Sequence, residues 1–304
     1  MEEDLFDGPD NGHSMNRALK QEFDALRKRL ETEPARMDEG FKKSVVIASN
    51  DEVAAMGFPV KFIDIDRNDV WRWIEDLGHP DFLEPGFVPK KAYDLYIADV
   101  LLKDRANIGT LVDVGGQGSF LLNTLSRKRI VNRKVLVDVH VVEDAGVEAI
   151  SASGGNVPLT DGSCDVVTCI HSIEHFQNGE DIRFMSEAGR LLTPGGKAFV
   201  FPLFLTDVDV FAFNIKSFYD ASNHVNKQYD PYGGFPGWGY GEGYSRTYST
   251  ATFKKHCSDN LSGNCSIHIT LVTFDGEIAP LDSELYIGNK FEYPYRALTI
   301  TKKP

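Results

Sequence analysis

Thr110–Phe120, TLVDVGGQGSF, is the stretch on which the fold turns. Leu111, Val112 and Val114 make an apolar strand that also carries an acid, Asp113. Gly115, Gly116 and Gly118 follow at once, and without a Cβ they let the backbone turn sharply and approach a ligand closely. From Gln117 to Ser126 the apolar residues Phe120, Leu121, Leu122 and Leu125 recur at helical spacing. A strand, a glycine turn and a helix in this order commonly aim a helix N-terminus at a bound nucleotide. A turn of purely structural purpose has the same appearance, so the neighbouring segments must decide.

Further along, Lys134–Val139 (KVLVDV) predicts a second buried strand ending near Asp138, an acid placed to accept hydrogen bonds from ribose hydroxyls. Within Asn156–Phe176, NVPLTDGSCDVVTCIHSIEHF, the run Asp165–Ile170 predicts another apolar strand. A helical segment carrying Ile182, Phe184, Met185, Ala188 and Leu191 comes next. Pro194-Gly195-Gly196 then predicts a turn into a strand over Lys197–Phe201.

This order of landmarks, over roughly Tyr93–Phe204, resembles the class I S-adenosylmethionine-dependent methyltransferases, in particular the quinone-biosynthesis and small-molecule group. PLTDGSCDVV and RLLTPGGKAFV are the specific parts. The resemblance implies an α/β fold with a Rossmann-like, mostly parallel seven-stranded sheet, helices on both faces and an antiparallel terminal hairpin. It implies S-adenosylmethionine as cofactor, held by Asp113, Gly115, Gly116, Gln117, Gly118, Asp138, Val139, Ser153, Gly154 and Ile170. Two positions depart from the family pattern. Gln117 stands where the next glycine is expected, with Gly118 one place late, and Ser153-Gly154 replaces a common Asp-Ala pair near the adenine. A serine hydroxyl can bond the adenine amino group, more weakly than a carboxylate. A nicotinamide-binding enzyme fits less well, since Leu121 occupies the last glycine position of GxGxxG.

Composition narrows the partners. The 304 residues carry a formal net charge of −13, which disfavours a nucleic-acid substrate, because neutralising phosphates with Lys and Arg dominates such binding. It equally disfavours an anionic membrane surface. MEEDLFDGPDNGHS lacks the apolar core of a secretory signal, and no run approaches the roughly 20 apolar residues of a membrane span. Cys164, Cys169, Cys257 and Cys265 show no CxxC spacing and read as free thiols. The expectation is a cytoplasmic enzyme with a small-molecule acceptor; a homodimer is left open.

The length exceeds one methyltransferase core, so additions are expected: an N-terminal extension over 1–85 and a domain over 86–304 with an insertion at 205–246. In the extension, Met1–Gly12 reads as disordered, and Met15, Leu19, Phe23, Leu26 and Leu30 form a helical stripe suited to core packing, a dimer contact or a lid. Lys43–Ser49 and Val60–Ile65 predict strands of a small α/β element, and Asp69 can cap a helix through Leu77 with Trp71, Ile74 and Leu77 facing inward. A helix over Lys90–Lys103 should bury Ala92, Tyr93, Tyr96, Val100 and Leu101. Leu205–Arg246 has no clear periodicity, and its many glycines and aromatics suit a substrate lid for a ring-bearing acceptor. A helix through Cys257 capped by Ser249, and strands over Cys265–Phe274 and Tyr295–Thr301, complete the reading.

The chemistry is expected just after the strand Asp165–Ile170. Transfer to a hydroxyl needs a base, and HSIEHF offers His171, Glu174 and His175, with His171 nearest the expected methyl position. In the resembled family Glu and His at this place often serve to pin the loop instead. A metal reading also stands, with His224 as a further ligand, on the analogy of small-RNA 2′-O-methyltransferases; no metal is expected on balance. The expected activity is O-methylation of a small acceptor. N- or C-methylation, and an inactive binding or dimerisation module, are the alternatives.

Overall fold

The computed structural model describes residues 48–78, 89–116, 118, 120–176, 179–207, 209–213, 235–238, 244–261, 264–277 and 295–304. The tail over 1–12 and the helical stripe from Met15 to Leu30 lie outside them, as does nearly all of the strand expected over Lys43–Ser49. Ser49 is the N-cap of a short helix, α1 (Asn50–Ala55), closed by a reciprocal capping box with Glu52.

Strand β1 (Val60–Ile65) leads into helix α2 (Arg67–Leu77). Its cap is Asp66, whose carboxylate accepts from the Asn68 N–H, so the helix starts before the Asp69 cap expected from sequence. That start sets the phase: Val70, Trp73, Ile74 and Leu77 are buried, and Trp71, expected inside, is 51% exposed. Helix α3 (Pro89–Leu101) likewise buries Ala92, Asp94, Leu95, Ile97 and Ala98. Tyr93 and Tyr96 are half-buried core aromatics, edge-on to Phe274 and Trp73.

The central Rossmann-like unit runs β2 (Asn107–Val114), α4 (Phe120–Lys128), β3 (Ile130–Asp138), β4 (Glu148–Ser151), β5 (Cys164–Ile170), α5 (Glu180–Leu191) and β6 (Leu192–Phe201). Strands β11 (Cys265–Phe274) and β12 (Tyr295–Lys302) are the terminal antiparallel pair. Among the described residues the sheet order is β1-β11-β12-β6-β5-β2-β3-β4, eight strands, because β1 pairs parallel with β11 and extends the seven expected. Pro194-Gly195-Gly196 is a bulge inside β6: Cys164 faces Leu192, while the next paired residue, Val166, faces Lys197.

Along the buried strands successive side chains enter opposite clusters, as a two-residue period requires. Val112 and Val114 join Phe184, Met185 and Ala188 of α5, whereas Leu111 joins Trp73, Leu95 and Leu122 from α2, α3 and α4. Each such side chain, fully buried, stabilises the fold by about 1.5–3 kcal/mol.

The insertion differs from the structureless loop expected. Its described residues form a second sheet, β7-β10-β8-β9, from β7 (Leu205–Thr206), β8 (Val210–Phe213), β9 (Phe235–Trp238) and β10 (Tyr244–Ser249). Helix α6 (Thr250–Ser258) follows directly, with the Ser49-like cap supplied by Ser249, which accepts from the Thr252 N–H. Leu205 and Tyr248 are fully buried in the main core, so the base of the insertion is part of the domain.

Candidate active site

Strands β3 and β4 extend the sheet to one side of β2, and β5 and β6 to the other. The order reverses between β2 and β5, and in such sheets ligands bind in the crevice outside the carboxyl ends at that point. Gly115 leaves β2 with φ +77° and donates its N–H to Val137 O at 2.8 Å. A Cβ there would lie 2.5 Å from that of Ser172, and one on Gly116 would lie 2.2 Å from Asp113 Oδ2. Ser172 Oγ in turn donates to Gly115 O at 2.9 Å. The glycine turn is therefore packed against the segment that follows β5. Gln117 lies outside the described residues; Gly118 donates to Gly116 O and has open space where a Cβ would stand.

Asp113 is packed against Gly116. It is 2% exposed and accepts from Thr168 Oγ1 at 2.7 Å, so it sets the turn from behind. Burial pushes its pKa up to about 7, with Asp138 adding to the rise and the Thr168 hydrogen bond opposing it. Asp138 ends β3 and accepts from the His140 N–H at 2.9 Å, and the adjoining Val139 is an exposed apolar residue. Ala152 donates to Asp138 O, which brings Ser153 and Gly154 alongside; Ser153 Oγ accepts from the Gly155 N–H. Gly154 is tucked under Val114 and Phe176, and Ile170 is the half-buried last residue of β5. These positions share one edge of the sheet.

His171 follows β5 with φ +49°, a conformation that holds a non-glycine residue at a cost of about 1–3 kcal/mol unless its surroundings over-determine it. They do. Its Nε2 lies 2.9 Å from Asp94 Oδ2, and its Nδ1 lies 3.6 Å from Glu174 Oε1. Asp94 and Glu174 are 4% and 0% exposed, and Tyr295 donates its phenol to Asp94 Oδ1. Burial alone would lower the His171 pKa, but Asp94 and then Glu174 outweigh it and raise the value to about 9. For Glu174 the burial penalty is likewise outweighed, by the His171 hydrogen bond and the two histidine charges, and its pKa falls. Both ring nitrogens of His171 thus face carboxylates, which favour the imidazolium. A protonated ring cannot accept the acceptor's proton, so the raised value speaks against His171 in the role of base expected from sequence. His175, on the same single 3₁₀ turn (Ile173–His175), is more open, and its Nε2 lies 4.0 Å from Glu174 Oε1.

Among the described residues no group of three or more His, Cys, Asp or Glu side chains is arranged to hold a metal ion. His224 lies outside those residues. No helix among the described residues is long and apolar enough to cross a membrane.

Residues 116–200 match the family described as "Methyltransferase domain". Over those residues the chain carries a methyltransferase domain, set on a Rossmann-like sheet. No curated protein matches the sequence. Among solved structures the methyltransferase is similar to the PH0226 protein of Pyrococcus horikoshii OT3, with 15% identity, 73% of this chain and 93% of that one covered, and a TM-score of 0.41. It is also similar to Burkholderia thailandensis 1,6-didemethyltoxoflavin-N1-methyltransferase, with 16% identity, 85% and 92% coverage and a TM-score of 0.40. For the YcgJ protein of Bacillus subtilis the values are 16%, 70%, 99% and 0.40.

The cofactor of this domain is S-adenosylmethionine, and the methyltransferase's own residues fit it. Neither Gly115 nor Gly116 has room for a Cβ, an acid stands at the end of β3, and an apolar residue beside that acid is left exposed. Two residues of the site escape sequence reasoning. Asp94 is an acid on the buried face of α3, between Ala92 and Leu95, and that mismatch of charge and phase is the signal that could have found it. Tyr295 opens β12, 201 positions from Asp94 in the chain, and nothing local marks it.

Proposed function

We propose that the protein transfers a methyl group from S-adenosylmethionine to a hydroxyl oxygen of a small, ring-containing acceptor. The observation that carries this reading is the packing of the His-Glu-His turn directly on the glycine turn through Ser172. The cofactor supplies an electrophilic methyl on a sulfonium sulfur. The chain's part is to hold it with the Gly115–Gly118 turn and Asp138, and to fix the acceptor, a contribution of up to roughly 7–11 kcal/mol when geometry is right. The proton of the acceptor hydroxyl passes to a ring nitrogen of His175, with Glu174 behind it. A ring-containing acceptor is favoured by the aromatic-rich sequence of the insertion, which includes Phe218, Tyr219, Tyr229 and Tyr232.

Calorimetry with S-adenosylhomocysteine, followed by transfer of labelled methyl to a panel of hydroxylated ring compounds, tests the reading. His175→Gln should lower turnover roughly 10²–10⁴-fold with S-adenosylhomocysteine affinity unchanged. Label found on nitrogen or carbon would replace the oxygen assignment, and a chain that binds no cofactor would be a binding module.

A further inference from the structure

We infer that Asp94 is a positioning residue for methyl transfer: through His171 and Ser172 it fixes the glycine turn that receives the cofactor. The inference rests on the methyl-transfer reading above. Four elements meet at this point. Asp94 comes from α3, His171 from the carboxyl end of β5, Glu174 and His175 from the 3₁₀ turn, and Tyr295 from β12. Asp94 uses both carboxylate oxygens, one facing His171 Nε2 at 2.9 Å and the other accepting the Tyr295 phenol. His171 is held in the left-handed region, and its own N–H donates to Phe201 O at 3.0 Å. The next residue, Ser172, bonds Gly115 O and stands where a Cβ of Gly115 would fall.

The chain of contacts therefore runs from a helix outside the nucleotide-binding unit to its central turn. Releasing His171 would let the backbone leave its strained conformation and take Ser172 with it. Asp94 is buried and its two carboxylate oxygens face His171 and Tyr295, so it acts through His171 and its effect appears at the cofactor.

Ring ¹⁵N spectra of His171 and calorimetry with S-adenosylhomocysteine test this. In the unmodified protein at pH 7.5 both ring nitrogens of His171 should carry a proton. Asp94→Asn should convert the ring to a single protonated nitrogen and weaken S-adenosylhomocysteine binding at least fivefold, while the far-ultraviolet circular dichroism is retained. Asp94→Glu, which restores the charge, should recover part of that affinity. If Asp94→Asn does not fold, the spectrum of the unmodified protein decides: one protonated nitrogen at pH 7.5 overturns the clamp. If Asp94→Asn binds as tightly as the unmodified protein, the inference fails and the methyl-transfer reading stands. If the unmodified protein binds no S-adenosylhomocysteine, the methyl-transfer reading fails, and the positioning role falls with it.

Discussion

At the scale of single residues, the site is built as much from behind as from its open face. Asp113 belongs to the most legible motif of the sequence, yet its carboxyl is 2% exposed and serves the turn from beneath. Thr168 Oγ1 has one proton and two acceptors within reach, Val112 O at 3.2 Å and Asp113 Oδ1 at 2.7 Å. The single hydroxyl proton is shared between them, so the hydrogen bond to Asp113 offsets only part of the burial penalty that raises its pKa from 3.8 to about 7. A carboxyl with a raised folded pKa makes the folded state bind the extra proton between about pH 4 and 7, so this group's contribution to stability falls as pH rises through that window. Asp113→Asn removes the titration. The melting temperature of the variant minus that of the unmodified protein should therefore climb from pH 5 to pH 8. A difference that is flat across this range would mean that Asp113 is ionised throughout.

Elements are joined here by a second buried charge cluster on the far side of the 3₁₀ turn. Asp181, in the first turn of α5, accepts from Tyr248 Oη at 3.0 Å, faces His256 Nδ1 at 3.1 Å and pairs with Arg246 Nη1 at 3.4 Å. Arg246 is fully buried and lies over the Tyr248 ring, 4.3 Å from its centre. The cluster ties β10 and α6 to α5, and Tyr248 reaches Ile173 O beneath the histidines. Although burial opposes it, His256 and then Arg246 hold the Asp181 pKa below the usual carboxylate range. Its contribution is therefore present above that range and lost as pH falls through the depressed value. Asp181→Ala strands the Arg246 charge in the core and should lower unfolding stability by about 3–5 kcal/mol in urea titrations. Tyr248→Phe, which removes one hydrogen bond to a charged group, should lower it by about 1.5–3 kcal/mol. Equal losses for the two would mean that Arg246 gains nothing from Asp181. Little of this was legible in the sequence. The Ser249 cap and α6 are local signals and were readable, whereas β7, β8 and β10 are two to six residues long and pair across 31 to 43 positions. A pattern of that length carries no period, and Gly-rich aromatic sequence hides it further.

For the whole molecule, the sequence reads residues 1–85 as an addition to a self-sufficient domain, and the periodicity of VKFIDI and of the following helix was correctly legible as structure. What local pattern could not reveal was the partner. Strand β1 pairs over six residues with β11, more than 200 positions later, and Arg67 anchors the join on Asp275 at 3.1 Å. Val70, Trp73, Ile74 and Leu77 of α2 then fill the cluster that also holds Leu95, Leu111 and Tyr295, and Trp73 Nε1 donates to Asp99 of α3 at 2.8 Å. Four side chains worth about 1.5–3 kcal/mol each are comparable with the whole net stability of a domain, about 5–15 kcal/mol. They also back the helix from which Asp94 reaches His171. A chain beginning at residue 79 should accordingly lose its cooperative thermal transition, and S-adenosylhomocysteine binding should fall with it. A fragment 48–304, which keeps β1 and α2, should retain both. If the shorter fragment melts cooperatively and binds S-adenosylhomocysteine as the full chain does, β1 and α2 are separable from the methyltransferase domain, and the parallel pairing with β11 is an attachment that the fold does not require.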